Sequence, residues 1–437
     1  MTASAAPVPT AILTSGEGLA ARRALRDARI RGVAFSAFGV LAFYYASRSL
    51  DVAADFSFYV DRAGGETALI HTTVGMLWII AGIASGLVGL LQLVRGAGLR
   101  WRPWLIVMVV PWVVAILGAV LAGKPANLSG MLSGSLEFAV PIALGALAGI
   151  LSERSGMFNI ALDGKMLVGA CVASVVASVT MIATDNVILS TLVGIAAAMT
   201  VSGLLGLLLA WLGIRHKVDQ IIAGTVINIG AVGITNFLFL RFLSRNTEFN
   251  APPSVQAMRI PFLADIPVLG PILFENRPYV YVTYIMVIAL TYMLFRTRWG
   301  LRLRASGEKP AAAGTVGINV LAIRYRSLLL AGIICGLAGS YLSLASGGRF
   351  GMEVTAGNGF IALAAMIFGA WHPVGAFAAA LVFGFAGSAQ TLLAVLGVDV
   401  PPQILNSIPY IVTIVVVAGV VGRVRGPAAA GQPYEQG

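Results

Sequence analysis

Residues 296–326, RTRWGLRLRASGEKPAAAGTVGINVLAIRYR, sit between two long apolar runs, 279–296 and 327–346. They carry Arg296, Arg298, Arg302, Arg304, Lys309, Arg324 and Arg326 against a single acid, Glu308. A basic stretch framed in this way reads as a loop on the cytoplasmic face of a membrane protein, the side on which Lys and Arg are retained. Inside it, GEKPAAAGTVGIN is weakly charged and Ala-rich, and is able to form a short helix. A helix kept in such a loop implies that something docks there, and so a membrane subunit driven by a soluble partner.

The rest of the chain extends the same reading. Of 437 residues, 58% are hydrophobic and only 11% are charged, too few to cover the surface of a soluble domain. The apolar residues form continuous runs of about 18–27, the length that crosses about 30 Å of hydrocarbon. Continuity excludes a β-barrel, whose strands alternate. The expected fold is an all-α polytopic membrane helix bundle. Its twelve apolar segments are 33–49, 74–95, 104–122, 134–151, 158–182, 187–213, 217–243, 279–296, 327–346, 358–370, 374–396 and 403–422. Net charge is +11, and 19 of the 29 Lys and Arg fall in 22–31, 95–102, 215–217, 296–326 and 423–425. With those five clusters cytoplasmic, every span between them alternates correctly and both ends of the chain lie inside. No basic patch is interleaved with exposed aromatics, so nucleic acid is not an expected partner. Trp101, Trp104, Trp211 and Trp299 stand beside basic clusters, where an indole favours the headgroup level. Residues 1–20 lack the apolar core of a signal peptide and are expected to be disordered.

Two segments do not read as simple spans. LSERSGMFNIALDGKMLVG (151–169) places Glu153, Arg154, Asp163 and Lys165 between apolar runs. Each charge at mid-bilayer would cost about 2.5–3.5 kcal/mol on insertion scales. Gly156 and Gly164 weaken helix continuity there. The segment reads as a broken helix whose irregular part faces protein or water. Residues 347–374 look similar, a short apolar run flanked by Gly351, Gly357, Gly359, Gly369 and Pro373. One interrupted segment in each half points to a central transport path and to two related halves. Small-residue pairs at Gly82/Gly86, Gly145/Gly149 and Gly332/Gly336 permit close helix approach. The outward loops are 50–73, which is acidic, and 244–278, which is Pro-rich and long enough to meet an external partner.

Chemical motifs are sparse. A GxxxxGK match at Gly118–Lys124 ends in Pro125 where Ser or Thr would hold magnesium, and no strand precedes it. His71, His216 and His372 are too scattered for a metal site, and Cys171 and Cys335 lie inside apolar runs. Asn159 and Asp163, four apart, share a face if helical, either lining the pathway or serving as a cap or an ion pair with Arg154 or Lys165. Asn228 and Asn236, eight apart, can bond a ribose or base, or bridge helices. Phe158, Phe360 and Trp371 can stack on a nucleobase or simply pack. Glu137, Glu353 and Asn358 are candidates for a gate, vestibule or partner contact. Arg302 and Arg304 either touch a soluble partner or only mark the inner face.

Four stretches carry a resemblance. LSERSGMFNIALDGKMLVGA (151–170), VDQIIAGTVINIGAVGITNFL (218–238), RASGEKPAAAGTVGINV (304–320) and GMEVTAGNGFIALAAMIFGAWHPVGAFAAALVFGFA (351–386) resemble ABC-importer permeases of the branched-chain amino-acid and simple-sugar class, in its nucleoside-type branch. The resemblance covers about 104–425 and divides the chain. Residues 1–32 form a basic, disordered lead-in, 33–103 an additional two-span region, 104–425 the permease core and 426–437 a cytoplasmic tail. It implies a pseudosymmetric core of about ten helices. It also implies a second permease, the same or related, a cytoplasmic ATP-binding subunit and an external substrate-binding protein. Gly307, Glu308, Ala311, Ala312, Gly314 and Gly317 would then sit in the segment that docks the ATPase. ATP and magnesium would bind that partner, with no cofactor, catalytic residue or metal in this chain. A simple-sugar or branched-chain amino-acid permease is the nearest alternative. An ion-coupled secondary transporter is the rival of another class, and a membrane enzyme or scaffold is a second.

Overall fold

The structure is a computed structural model that describes residues 11–61, 66–96, 101–124, 126–397, 401, 403–404, 407 and 425–434. Among them, nine helices are long and apolar enough to cross a membrane, and two shorter apolar helices accompany them. The expected twelfth segment, 403–422, lies almost wholly outside the described residues.

The chain divides into two compact units. The first holds Met1–Phe58, Thr67–Leu128 and Leu396–Val398. Its helices are α1 (Ala11–Ser47), α2 (Val74–Arg95) and α3 (Trp101–Val120). Helix α1 starts at Ala11, inside the stretch expected to be disordered, and its Ala, Leu and Arg content favours that helix. Gly32 and Gly39 of α1 lie against Gly89 and Gly86 of α2, so the two backbones approach closely. Trp112 of α3 donates from its indole to Ser85 Oγ (2.8 Å) and meets Trp78 edge-on (5.2 Å). Helix α3 therefore groups with the first two spans in the unit that runs to Leu128. Strands β1 (Ala53–Asp61), β2 (Glu66–Thr73) and β3 (Ala126–Asn127) form a sheet in the order β2-β1-β3. Strand β3 runs parallel to β1 with Phe56 opposite Ala126. Thr73 closes β2 and caps α2, its Oγ1 accepting from Met76 N (3.2 Å).

The second unit holds Tyr59–Glu66, Ser129–Val395 and Asp399–Gly437. Its long helices are α4 (Leu128–Glu153), α5 (Leu162–Thr184), α6 (Val187–Arg215), α7 (Gln220–Leu238), α9 (Pro278–Arg296), α12 (Val320–Ser340) and α14 (Pro373–Val395). Short helices α8 (Leu269–Leu273), α10 (Arg298–Glu308), α11 (Pro310–Thr315) and α13 (Asn358–Phe368) and the paired strands β4 (Met258–Arg259) and β5 (Glu275–Asn276) complete it. Side-chain caps mark where helices start: Asn186 on α6, Asp219 on α7, Thr297 on α10 and Asn319 on α12. Helices α4 and α12 are central, each 83% buried over its apolar window, against 33% for α6, α7 and α9. Glycines make this centre possible. A Cβ at Gly332 or Gly336 would overlap the carbonyl of Ser202 or Ala198 on α6, and one at Gly339 that of Met166 on α5. Gly145 and Gly149 of α4 face the side chains of Ala362 and Met366 on α13 rather than backbone. Cys171 and Cys335 are free and buried in this core.

Candidate functional site

Helix α4 stops at Glu153 because Ser155 and Gly156 form a tight turn. Gly156 adopts φ +91°, and a Cβ there would lie 2.8 Å from Arg324 Nη2. The chain then runs without helix until α5 begins at Leu162. The unwound backbone finds its partners on α7, as it must where no water competes. Gln220 Oε1 accepts from Phe158 N (2.7 Å). The Asn228 amide spans the break, donating to Ile160 O (2.9 Å) and accepting from Gly164 N (2.8 Å). Lys165, fully buried, donates to Asn159 Oδ1 at 2.5 Å. Asn159 precedes the first helical residue, so it does not share a helical face with Asp163, and among the described residues Asp163 forms no ion pair with Arg154 or Lys165.

Asp163 reaches the second interrupted segment instead. Gly357 turns the chain in the left-handed region (φ +76°) and leaves α13 without a cap of its own. The Asp163 carboxylate accepts from Gly359 N (2.8 Å) and Thr355 Oγ1 (3.0 Å). At the other end of α13, Arg154 Nε and Nη2 donate to Trp371 O (3.2 and 3.1 Å), while the Trp371 indole donates to Glu153 Oε2 (2.7 Å). This 11-residue helix, about 16 Å long, thus has an acidic side chain at its N-terminus and a guanidinium at its C-terminus. Both match the helix dipole, and both come from the flanks of the same break. Burial and the neighbouring Arg304 draw the Arg154 pKa down, while Glu308 opposes them. His372 lies below its ordinary value through burial and then Arg154, and its ring stacks on Phe295 at 4.8 Å.

The basic segment folds as α10 and α11 and packs on the same turn. Ser306 Oγ donates to Ser155 O (3.1 Å), and Gly307 lies so close to Arg154 O that no side chain fits. Arg304 lies over the Phe295 ring at 5.0 Å. The outer side of α10 borders a cleft of about 830 Å³ whose walls include Arg298, Leu301, Arg302, Val316, Asn319 and Arg326. Leu301 and Val316 are 62% and 74% exposed between those arginines. A hollow of about 390 Å³ adjoins it, with Glu308, Lys309, Ala312 and Ala428 on its walls. Of the residues the resemblance implies for docking, Glu308, Ala311, Ala312 and Gly317 are exposed, as is Arg302, whereas Gly307 is buried and Gly314 and Arg304 are half-buried.

The remaining candidates divide. Phe158, Asn159, Asp163, Asn228 and Trp371 gather around the break. Asn358 opens α13 and Phe360 is half exposed, while Glu353 is exposed in a left-handed turn (φ +50°). Asn236 lies two turns further along α7, its Oδ1 buried with no partner among the described residues. At the opposite end of α4 and α9, Glu137 pairs with Arg277 beside a polar cleft of about 260 Å³ that Ser133, Gln256 and Glu275 also border. Sequence reasoning missed Gln220, whose signal is only its place after the capping Asp219. It also missed Arg277, which carries no motif.

Residues 131–418 match the family described as branched-chain amino acid transport system / permease component. The match begins close to Ser129, where the second compact unit begins. The chain is 39% identical over 316 residues to the guanosine ABC transporter permease protein NupQ of Bacillus subtilis, covering 71% of this chain and 98% of that one. It is 36% identical over 309 residues to the nucleoside ABC transporter permease protein NupC of Lactococcus lactis, covering 68% and 94%. It is 30% identical over 332 residues to the putative glucose ABC transporter permease protein TsgC13 of Haloferax volcanii, covering 70% and 98%. No solved structure matches. The chain therefore belongs to the ABC transporter permeases of the branched-chain amino acid transport system family.

Proposed function

We propose that this permease carries nucleosides into the cell. The observation that carries the reading is its 39% identity to a guanosine permease across nearly the whole of that protein, against 30% to a putative glucose permease. Permeases of this kind work with an ATP-binding subunit and a substrate-binding protein. In our reading the basic end faces the cytoplasm and ATP and magnesium are held by the partner ATPase, which docks on α10 and α11 with Leu301, Val316 and Ala312 as apolar anchors and Arg298, Arg302 and Arg326 as a charged rim. A second permease, the same or related, completes the pathway. The binding protein delivers substrate at the end marked by Glu137 and Arg277. Closure of the ATPases shifts α10, and the shift reaches the 154–156 turn through Ser306 and Gly307. The turn carries Arg154 and Glu153, which hold α13, so that one helix end responds to the motor. The permease supplies a contact that differs between two states rather than a chemical step.

The test is ATP-dependent uptake by the complex in proteoliposomes, using labelled nucleosides, sugars and branched-chain amino acids. Nucleoside uptake is expected. Uptake of sugar or amino acid alone overturns the substrate, and uptake driven by an ion gradient without ATP overturns the class. For docking, Leu301→Asp with Arg302→Glu, both exposed on the cleft wall, is expected to lower uptake by about tenfold or more, since coupling energies of about 1–3 kcal/mol are at stake. Wild-type uptake and co-purification of the ATPase in that double variant would remove the docking assignment.

A further inference from the structure

Segment 425–434, RGPAAAGQPY, lies against α10, α11, α12, the 156–158 turn and Trp371. Ala429 N donates to Gly307 O on α10 (2.9 Å), and Gly431 N donates to Gly156 O in the turn (3.1 Å). Ala428 N approaches Glu308 Oε2 (3.4 Å). Gly431, at φ +78°, sits where a Cβ would come within 2.6 Å of the Phe158 ring. Gly426 packs on the Trp371 indole, and Gly314 of α11 leaves room for the Tyr434 hydroxyl. Glycine and proline at 426, 427, 431 and 433 keep the segment irregular and let its backbone lie flat on its neighbours. Pro427 and Ala429 are buried against these neighbours, while Arg425, Gly426, Ala428, Gln432 and Pro433 stay exposed on the outer side.

The contacts enclose Arg324 of α12. Its side chain is 2% exposed, its Nη1 donates to Gln432 O (3.1 Å), and the Tyr434 ring lies 5.9 Å from the guanidinium. Nε and Nη2 have no hydrogen-bond partner among the described residues. Burying a guanidinium is costly unless it is paired or hydrogen-bonded, and the bond Arg324 makes is to Gln432 O of this segment. What it holds is the segment that ties α10 to the interrupted-helix turn.

We propose that segment 425–434 is a strap that makes α10, α11 and the 154–158 turn move as one body, with Arg324 as its positioning residue. The inference rests on the reading that ATP-driven force enters through α10 and α11. Ser306 and Gly307 already touch the turn, but one hydroxyl bond and one glycine contact would let α10 slide. The strap adds a backbone bond on each side of that joint.

The test uses the complete complex with its ATP-binding subunit and binding protein. Deletion of 425–437, Gly431→Val and Arg324→Ala are each expected to leave ATPase co-purification intact and hydrolysis within about twofold. Nucleoside uptake per ATP hydrolysed should fall by about tenfold, and Arg324→Lys should restore most of it, since an ammonium still donates to the Gln432 carbonyl. If the deletion does not fold, Gly431→Val decides. Independently, the thiol of an Arg324→Cys variant should resist a charged maleimide in the full chain and react once 425–437 is deleted, against a background of two buried cysteines. Wild-type uptake per ATP in assembled strap variants, or equal labelling with and without the segment, overturns the proposal. Loss of the ATPase from strap variants also overturns it, because the segment would then be part of the docking surface. Failure of the docking reading is separate: it shows as wild-type uptake and ATPase co-purification in the Leu301→Asp, Arg302→Glu protein, whose changes lie in a cleft wall that includes no residue of 425–434, whatever the labelling.

Discussion

Replacing Asp163 by alanine is expected to cost about 2–4 kcal/mol of stability and to abolish uptake. The carboxylate is 8% exposed and accepts from Gly359 N and Thr355 Oγ1, so its removal leaves a buried amide and a buried hydroxyl without an acceptor. It also removes the acidic side chain from the N-terminus of α13, a further contribution of about 0.3–1 kcal/mol if that group is ionised. Asp163→Asn retains one acceptor oxygen but turns an amide toward the second donor, and should fall between alanine and wild type. The measurement is the fraction of monodisperse protein surviving a temperature series in detergent, beside uptake in proteoliposomes. A residue that only touched substrate would lose uptake and keep its melting point. Unchanged melting of Asp163→Ala would therefore remove the capping role assigned here.

The second large effect lies at the crossing of α12 with α6. Gly336→Leu puts a side chain where the Ala198 carbonyl already stands, and Gly332→Leu does the same at Ser202. Backbone cannot yield as a side-chain tip does. The helices must separate, losing the surrounding dispersion contacts of a central helix most of whose residues are buried. Either variant is expected to lose more than about 3 kcal/mol, at or beyond the usual range for overpacking. Little folded protein should survive extraction. The comparison is Gly233→Ala on α7, which meets open space and should stay within about 0.5 kcal/mol of wild type. Folded, active Gly336→Leu would mean that the two helices do not approach as described.

Much of this was legible in the chain and some was not, for physical reasons. Length and continuity of the apolar runs were enough for the helices, because hydrocarbon imposes one length scale on every span. The two interruptions were legible because charges and glycines have no place in a simple span. Their mutual contact was not. Asp163 and Gly359 are 196 residues apart, Arg154 and Trp371 217, and nothing local encodes a cap supplied from so far away. The Gly332/Gly336 pair looked no different from the Gly82/Gly86 pair. In the structure Gly332 and Gly336 both meet α6 backbone, whereas a side chain at Gly86 would meet open space. Helix α3 reads as one more apolar run, and its packing through Trp112 and Gly118 assigns it to the first unit. Segment 425–434 carries no periodicity at all, so its role is visible only through what it touches.

The interlocked ends of α13 have an implication for how such proteins diverge and can be recombined. Residues 151–165 and 351–372 form one reciprocal lock, with donor and acceptor on each half. A chimaera whose borrowed stretch lacks one of the side chains Glu153, Arg154, Asp163, Thr355 or Trp371 would leave a buried polar group on the other stretch without its partner. One that swaps both keeps every bond it breaks. The two stretches are thus best exchanged together, as one cassette written in two places along the gene.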